Sequence, residues 1–217
     1  MIDLHTHSFF SDGVLSPSEL IRRAVVEGYK AIAITDHLDA SNIELTIPNI
    51  AKACEVASTY WSIEAVPGAE LTHVPPQAIG ELARRARAAG AKIVLVHGET
   101  IVEPVCPGTD RAAVESDIDI LAHPGLITEE EVQIAQERGV YLEITTRKGH
   151  SLTNGHVALL ARRYGARLVL NTDSHEPGDL TNREQATRVA QGAGMTDEEI
   201  KRMFAHSEEI IARVSGG

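Results

Sequence analysis

Six histidines and three carboxylates stand at one kind of place in this chain, the end of an apolar, β-branched run. His5 and His7 close IDLHTH, and Asp12 follows in SDG. His37 closes KAIAITDH, Glu70 closes SIEAVPGAE, and His97 ends IVLVH. His123 follows ILA in AHPG, and Asp173 and His175 close RLVLNTDSH. Any single histidine of this kind is more often a hydrogen-bonded core residue than a ligand. Nine such groups gathered on one rim would be costly without partners, because buried polar and charged groups need them. Divalent cations are the natural partners. Mixed imidazole and carboxylate donors suit Zn, Mn or Fe rather than Ca. A single tetrahedral site takes three or four ligands, so nine suffice for two to three ions.

The elements that must carry these residues alternate strictly. Between the apolar runs lie amphipathic stretches such as SELIRRAVVEGY, AIGELARRARAAG and GHVALLARRYG. Ser16-Pro17-Ser18-Glu19 reads as a helix start with Pro at its first position, and Thr128/Glu131 and Thr196/Glu199 repeat the capping pattern. Gly28, Gly90, Gly139 and Gly165 fall where helices should end. Near-continuous apolar strands alternating with helices predict an α/β fold with a helix-covered parallel sheet. Seven strand–helix units fit a closed or distorted barrel better than an open sheet, although the pattern admits both. In a parallel barrel, the carboxyl ends of the strands form the face that carries the site. The pairs His5/His7 and Asp173/His175 are each two apart, which aims both members to the same side of a strand.

Composition narrows the classes. At 217 residues the chain suits one domain, with no linker or low-complexity segment. No apolar run approaches the ~20 residues of a membrane span, and MIDLHTH lacks the pattern of a signal peptide. With only Cys54 and Cys106, a disulfide framework is absent, which points to a reducing cytoplasm. The formal charge of −11 argues against a broad basic face for long nucleic acids.

Taken in order, DLHTHSFFSDG, ITDH, GAE, the lone His97, AHP and NTDSH resemble the PHP (polymerase and histidinol phosphatase) family, across nearly the whole chain. The loops LDASNIEL and ETIVEPVCPGT, with RKGHSLTNGH, most resemble its short stand-alone, histidinol-phosphatase-like members. The resemblance implies a distorted (β/α)7 TIM-like barrel over residues 1–217, with a trinuclear metal site at the carboxyl ends of the strands. It implies that His5, His7, Glu70 and Asp173 hold one ion. Glu70 would bridge to a second ion held by His97 and His123, and Asp12, His37 and His175 would hold a third. It further implies phosphoester hydrolysis by a hydroxide held between two ions, since metal binding lowers the pKa of water. Glu70 and Asp173 would then be catalytic as well as ligating.

Phosphate also calls for a protein cation. The sixth strand ends in EITTRKGHSLTNG, where Glu143, Thr145 and Arg147 alternate onto one face, and Arg suits bidentate phosphate contact. Arg147 is therefore expected to be both a catalytic residue and the main substrate contact, followed by Lys148 and His150 as substrate contacts. Asn154 is a candidate cap for the next helix. Glu99, two residues after His97, is a candidate for orienting a bound water or ligand. His73, His156 and His206 read as loop or surface residues, and Cys106 as a pocket wall. The expected substrate is a small phosphomonoester, histidinol phosphate among the candidates. The alternatives are a nucleotide phosphatase or short-oligonucleotide 5′–3′ exonuclease, which an aromatic content of 4% disfavours, and a non-catalytic metal-holding module.

Overall fold

The computed structural model describes residues 1–215. Its strands are β1 (Ile2–Asp3), β2 (Ala31–Ile34), β3 (His37–Leu38), β4 (Glu64–Leu71), β5 (Ile93–His97), β6 (Ile120–Ala122), β7 (Tyr141–Thr145) and β8 (Leu168–Asn171). The helices are α1 (Pro17–Val26), α2 (Ile43–Tyr60), α3 (Ile79–Ala88), α4 (Thr109–Val114), α5 (Glu129–Arg138), α6 (Asn154–Tyr164), α7 (Arg183–Gly192) and α8 (Asp197–Ser215). All pairings are parallel, in the order β1-β2-β4-β5-β6-β7-β8. The short β3 continues β2 against β4 without a change of register: Ile34 lies opposite Pro67 and His37 opposite Glu70. The result is a nearly closed, distorted (β/α)7 barrel.

The distortion is at the seam between β1 and β8. Near the bottom, side chains take the place of a backbone ladder. The Leu4 amide donates to Asn171 Oδ1 at 2.9 Å, and Thr172 Oγ1 donates to Asp3 Oδ2 at 2.6 Å. Backbone pairing begins only higher up, where the Asp173 amide donates to the His5 carbonyl and the His7 amide to the Ser174 carbonyl. The seam closes at the level of the histidines.

Strand alternation explains how one barrel is greasy below and polar above. Ile2, Leu4, Ala31, Ala33, Val66, Ile93, Leu95, Ile120, Ala122, Tyr141 and Val169 form one buried cluster, joined by Ile210 of α8. Two residues on from these, on the same strand faces, stand Glu143 after Tyr141, His97 after Leu95 and Asn171 after Val169. On β4 the row runs Val66, Gly68, Glu70. A Cβ at Gly68 would lie 2.6 Å from Thr35 Cγ2, so only glycine fits beneath Glu70. The opposite faces pack on the helices in two further clusters.

Helix starts follow the sequence with one variation. Thr128 and Glu131 form a reciprocal capping box, and Thr196 and Glu199 exchange the same bonds. Ser16 caps α1, but Glu19 turns to Arg23 instead of back to the cap. Gly139 and Gly165 end α5 and α6 with positive φ. No helix among the described residues is long and apolar enough to cross a membrane.

Candidate metal centre

The floor of the site is built from strand ends and is sealed from solvent. His5, His7 and Glu70 are 0% exposed and Asp173 is 2% exposed. His5 Nε2 lies 3.2 Å from Glu70 Oε1 and 3.7 Å from Asp173 Oδ1. His7 Nε2 lies 3.1 Å from the same Asp173 oxygen and 3.7 Å from Glu70 Oε2. Behind His5, Glu143 Oε2 meets its Nδ1 at 2.9 Å and also accepts from Asn171 Nδ2 at 2.8 Å. A carboxylate on one ring nitrogen fixes the tautomer and frees the other nitrogen as a ligand.

On one side of the floor stand His97, His123 and His150. Each offers a ring nitrogen, and these nitrogens lie within 4.8 Å of one another. His123 reaches inward because its backbone takes φ +27° just beyond β6, and Asp173 turns in with φ +52°. Two non-glycine residues with positive φ at one site mark local strain that the surrounding fold must support. On the other side, Asp12 Oδ1 lies 3.4 Å from His37 Nε2 and 3.2 Å from His175 Nε2. Asp36 pins the loop carrying Asp12 by accepting from the amides and hydroxyls of both Ser8 and Ser11. Gly13 permits its tight return, since a Cβ there would meet the His7 carbonyl oxygen at 2.3 Å. His37 Nδ1 is shared between Thr72 Oγ1 at 2.6 Å and Glu70 Oε2 at 2.7 Å.

Without an ion, the imidazoles and carboxylates of the cluster set one another's charge. Burial would lower the pKa of His5, but Glu143, Glu70 and Asp173 outweigh it and hold the ring well above the ordinary value. His37 is raised to about 10 against its burial, by Glu70 and Asp12. His7 is pushed down to about 3 by burial and by His37, and His123 is lowered by burial and by His97. Burial works against ionised Glu70 and Asp173, yet the neighbouring imidazoles hold both below the usual carboxylate range.

The residues fit divalent cations on an observation independent of any family. Buried atoms without a hydrogen-bond partner concentrate here: His5 Nε2, both nitrogens of His7, Glu70 Oε1, His97 Nδ1 and His123 Nδ1. Native interiors rarely leave such atoms unsatisfied. Donors bonded to one tetrahedral ion at about 2.0–2.2 Å stand roughly 3.3–3.6 Å apart. The nitrogen–oxygen spacings here, from 3.1 to 3.7 Å on the floor, cluster about that range. His5, His7 and Glu70 form one group, and His5, His123 and Asp173 an overlapping one. His7, Asp12, His37 and His175 form another, and His97, His123 and His150 the last of the central groups.

Other expected residues fall differently. Arg147 stands at the rim, with Nη1 2.8 Å from Asp179 Oδ2 and Nε 4.0 Å from Asp173 Oδ2. Lys148 is exposed beside it, and His150 is 6% exposed within the cluster. Glu99, expected to orient a water or ligand, is engaged at one oxygen by backbone amides. Its Oε1 accepts from the Gly108 and Asp110 amides, at 2.8 and 3.1 Å. β5 ends at His97, so the two-residue rule no longer governs Glu99, which caps α4. Asn154 ties to both backbone groups of Thr145. His156 and His206 bond backbone carbonyls away from the site, and Cys106 is exposed on its loop. His73, with φ +52°, lies 3.3 Å from Glu103. Sequence reasoning missed Glu103 altogether and saw Glu143 only as a marker of alternation. The inward face of β7 was the available signal for Glu143; no periodic signal reaches Glu103.

Comparison with known proteins follows this geometry. Residues 3–212 match the family pattern described as the PHP domain. An uncharacterised protein of Methanocaldococcus jannaschii is 46% identical over 215 residues, covering 98% of this chain and 99% of that one. A 5′-3′ exoribonuclease of Haemophilus influenzae is 43% identical over 70 residues, 32% of this chain and 23% of its own. A probable phosphatase of Caldanaerobacter subterraneus is 23% identical over 240 residues, covering 100% of this chain and 94% of that one. Among solved structures, a chain of archaeal ribonuclease P with mature tRNA superposes with a TM-score of 0.76 at 16% identity, covering 100% and 92% of the two chains. That likeness concerns the fold.

Proposed function

The chain belongs to the PHP family, and from that membership we propose that it is a metal-dependent phosphoesterase, a single domain hydrolysing a small phosphomonoester. The observation that carries the reading is the sealed floor, where unpartnered imidazole nitrogens face ionised Glu70 and Asp173. In this reading His5, His7, Glu70 and Asp173 hold one ion. His97 and His123, with Glu70 between the two, hold a second. Asp12, His37 and His175 hold a third. Bound divalent ions would supply Lewis acidity toward the phosphoryl oxygens and a water of lowered pKa.

The remaining work falls to the chain itself. Glu143 holds the His5 ring in one tautomer, and Thr72 and Glu70 do the same for His37. The apolar cluster beneath the floor excludes water from below. In this reading Arg147, paired with Asp179 at the rim, exchanges that partner for a phosphate oxygen, a charge-assisted contact of the kind Arg makes well. Lys148 adds positive charge beside it.

A second reading, cleavage of nucleotides or short oligonucleotides from the 5′ end, is favoured by the 70-residue likeness to the exoribonuclease. It is also favoured by Phe9, two residues after His7 and 54% exposed, which offers a face for base stacking. The test is a screen of full-length protein, reconstituted with Mn2+ or Zn2+, against phosphomonoesters including histidinol phosphate, nucleoside bisphosphates and 5′-phosphorylated oligonucleotides. Release of inorganic phosphate from small esters supports the first reading. Release of mononucleotides supports the second. A full complement of ions with no hydrolysis overturns both and favours a metal-holding module.

A further inference from the structure

Two side chains outside the nine residues of the family pattern reach the His97–His123 pair. Glu103 comes from the loop between β5 and α4. Its Oε2 lies 3.2 Å from His97 Nε2 and its Oε1 3.3 Å from His150 Nε2. His150 comes from the 3-10 turn after β7, and its ring stacks on that of His123 with centroids 4.2 Å apart. We propose that Glu103 and His150 are ligands of the ion held by His97 and His123, so that this site is three imidazoles and a loop carboxylate. The inference rests on the metal-dependent reading above and deepens it.

Three observations support it. First, the Glu103 carboxylate offers a different oxygen to each ring, Oε2 to His97 at 3.2 Å and Oε1 to His150 at 3.3 Å, as a carboxylate chelating an ion between the two imidazoles would. Direct charge-assisted N–H···O pairs are usually shorter, about 2.7–2.9 Å. Second, His150 is held as a ligating histidine is held. Its Nδ1 is tied to Thr100 Oγ1 at 2.7 Å, leaving Nε2 to face inward, 3.8 Å from Asp173 Oδ2. His5 is held the same way by Glu143.

Third, the loop that carries Glu103 is clamped so that its tip overhangs the site. Glu99 Oε1 accepts from the Gly108 and Asp110 amides, and Asp110 Oδ1 accepts from the Glu99 amide at 2.8 Å. The chain thus leaves and returns at one point. The tip also meets the segment bearing His150, since a Cβ at Gly149 would lie 3.4 Å from Val102 Cγ2. His73 Nε2 approaches the same Glu103 oxygen as His97, at 3.3 Å, and steadies the carboxylate from the solvent side. The ion would therefore fasten the 99–108 loop over the cluster. Glu99 and Asp110 act here as positioning residues.

The experiment uses the full chain stripped of metal and titrated with Zn2+ against a chromophoric chelator, with hydrogen exchange of residues 99–108 followed in parallel. The variants are Glu103→Gln and His150→Gln, each checked for folding by circular dichroism. We expect one ion to bind at least about 10-fold more weakly in each variant while the others keep their affinity. We also expect Zn2+ to slow exchange in the 99–108 loop of the wild type and not of Glu103→Gln. Should His150→Gln fail to fold, Glu103→Gln, which alters an exposed loop residue, carries the test alone. Equal ion number and affinity in wild type and variants, or equal loop protection, overturns the proposal while leaving the metal-dependent reading intact. A wild type that binds no Zn2+ overturns that reading and the proposal together.

Discussion

The floor and the rim of this site hold the same donor types in opposite ways. On the floor, His5, His7, Glu70 and Glu143 are 0% exposed, and each is touched by another side chain of the set. On the rim, the side chains of Asp12 and Glu103 are 57% and 36% exposed, and both come from loops. The floor is a property of the barrel, because strand alternation brings its groups together whether or not an ion is bound. The rim depends on loops tied by a few hydrogen bonds, such as those from Ser8 and Ser11 to Asp36. Damage to the floor should abolish the centre, whereas damage to the rim should tune it.

The largest effect is expected from Glu70→Gln. Glu70 touches His5, His7, His37 and His123, so the change should cost at least one bound ion and ~10²-fold or more in hydrolysis. Metal analysis alongside phosphate release checks this. Near-full activity with an unchanged ion count would break the distinction between floor and rim.

Glu143→Gln tests whether the floor reaches beyond its ligands. The variant loses the charge behind His5, and a loss of roughly 10- to 100-fold in affinity for one ion is expected, measured by chelator competition. An unaltered affinity would make Glu143 a bystander.

Arg147→Ala is the corresponding test on the rim. Arg147 already has Asp179 as a partner, so only the surplus of a phosphate contact over that pair is lost. A fall of about 10-fold in kcat/KM is expected, with ion content unchanged. Arg147→Lys should recover part of it, since an ammonium lacks the planar fork. Wild-type kinetics in Arg147→Ala would leave the phosphate to the ions alone.

The effect at the seam beneath the floor falls on stability and leaves the ligands in place. Burial raises the carboxyl of Asp3 to about 7, against the hydrogen bonds from Thr172. A raised folded pKa means that the folded state prefers the protonated form. Asp3 therefore supports folding fully below about pH 4, and that support is lost as pH rises through about 7. Asp3→Asn stays neutral, so its stability relative to the wild type should rise between pH 4 and pH 8, by up to about 4 kcal/mol for a carboxyl raised to about 7. Urea unfolding at matched metal content measures it. A pH-independent difference would mean that Asp3 is ionised in the fold.

The same division decides what could be read from the sequence. The meeting of His5, His7, Glu70 and His97 was legible because each ends an apolar run whose period aims such residues predictably, whereas Asp173, two residues past β8, is turned inward by its φ of +52°. The barrel itself was legible from the alternation of strands and capped helices. The closure of the seam by Asp3, Asn171 and Thr172 was not, because it depends on which side chains meet 167 to 169 positions apart in sequence. Glu103 was invisible because its place depends on where Glu99 and Asp110 clamp a loop. The hold of Glu99 on the start of α4 was hidden for the same reason, two residues past the end of a strand. The break of the second strand into β2 and β3 falls at Thr35 and Asp36, the polar pair that interrupts its apolar run.

One measurement bears most directly on the central claim. Full-length protein stripped by chelation is titrated with Mn2+ or Zn2+, and bound ions per chain and phosphate release from the best small ester are followed on the same samples. The account predicts no turnover in the stripped protein and turnover that rises only as the second and third ions bind, with two to three ions at saturation. Full turnover in the metal-free protein, or saturation at a single ion, would contradict it.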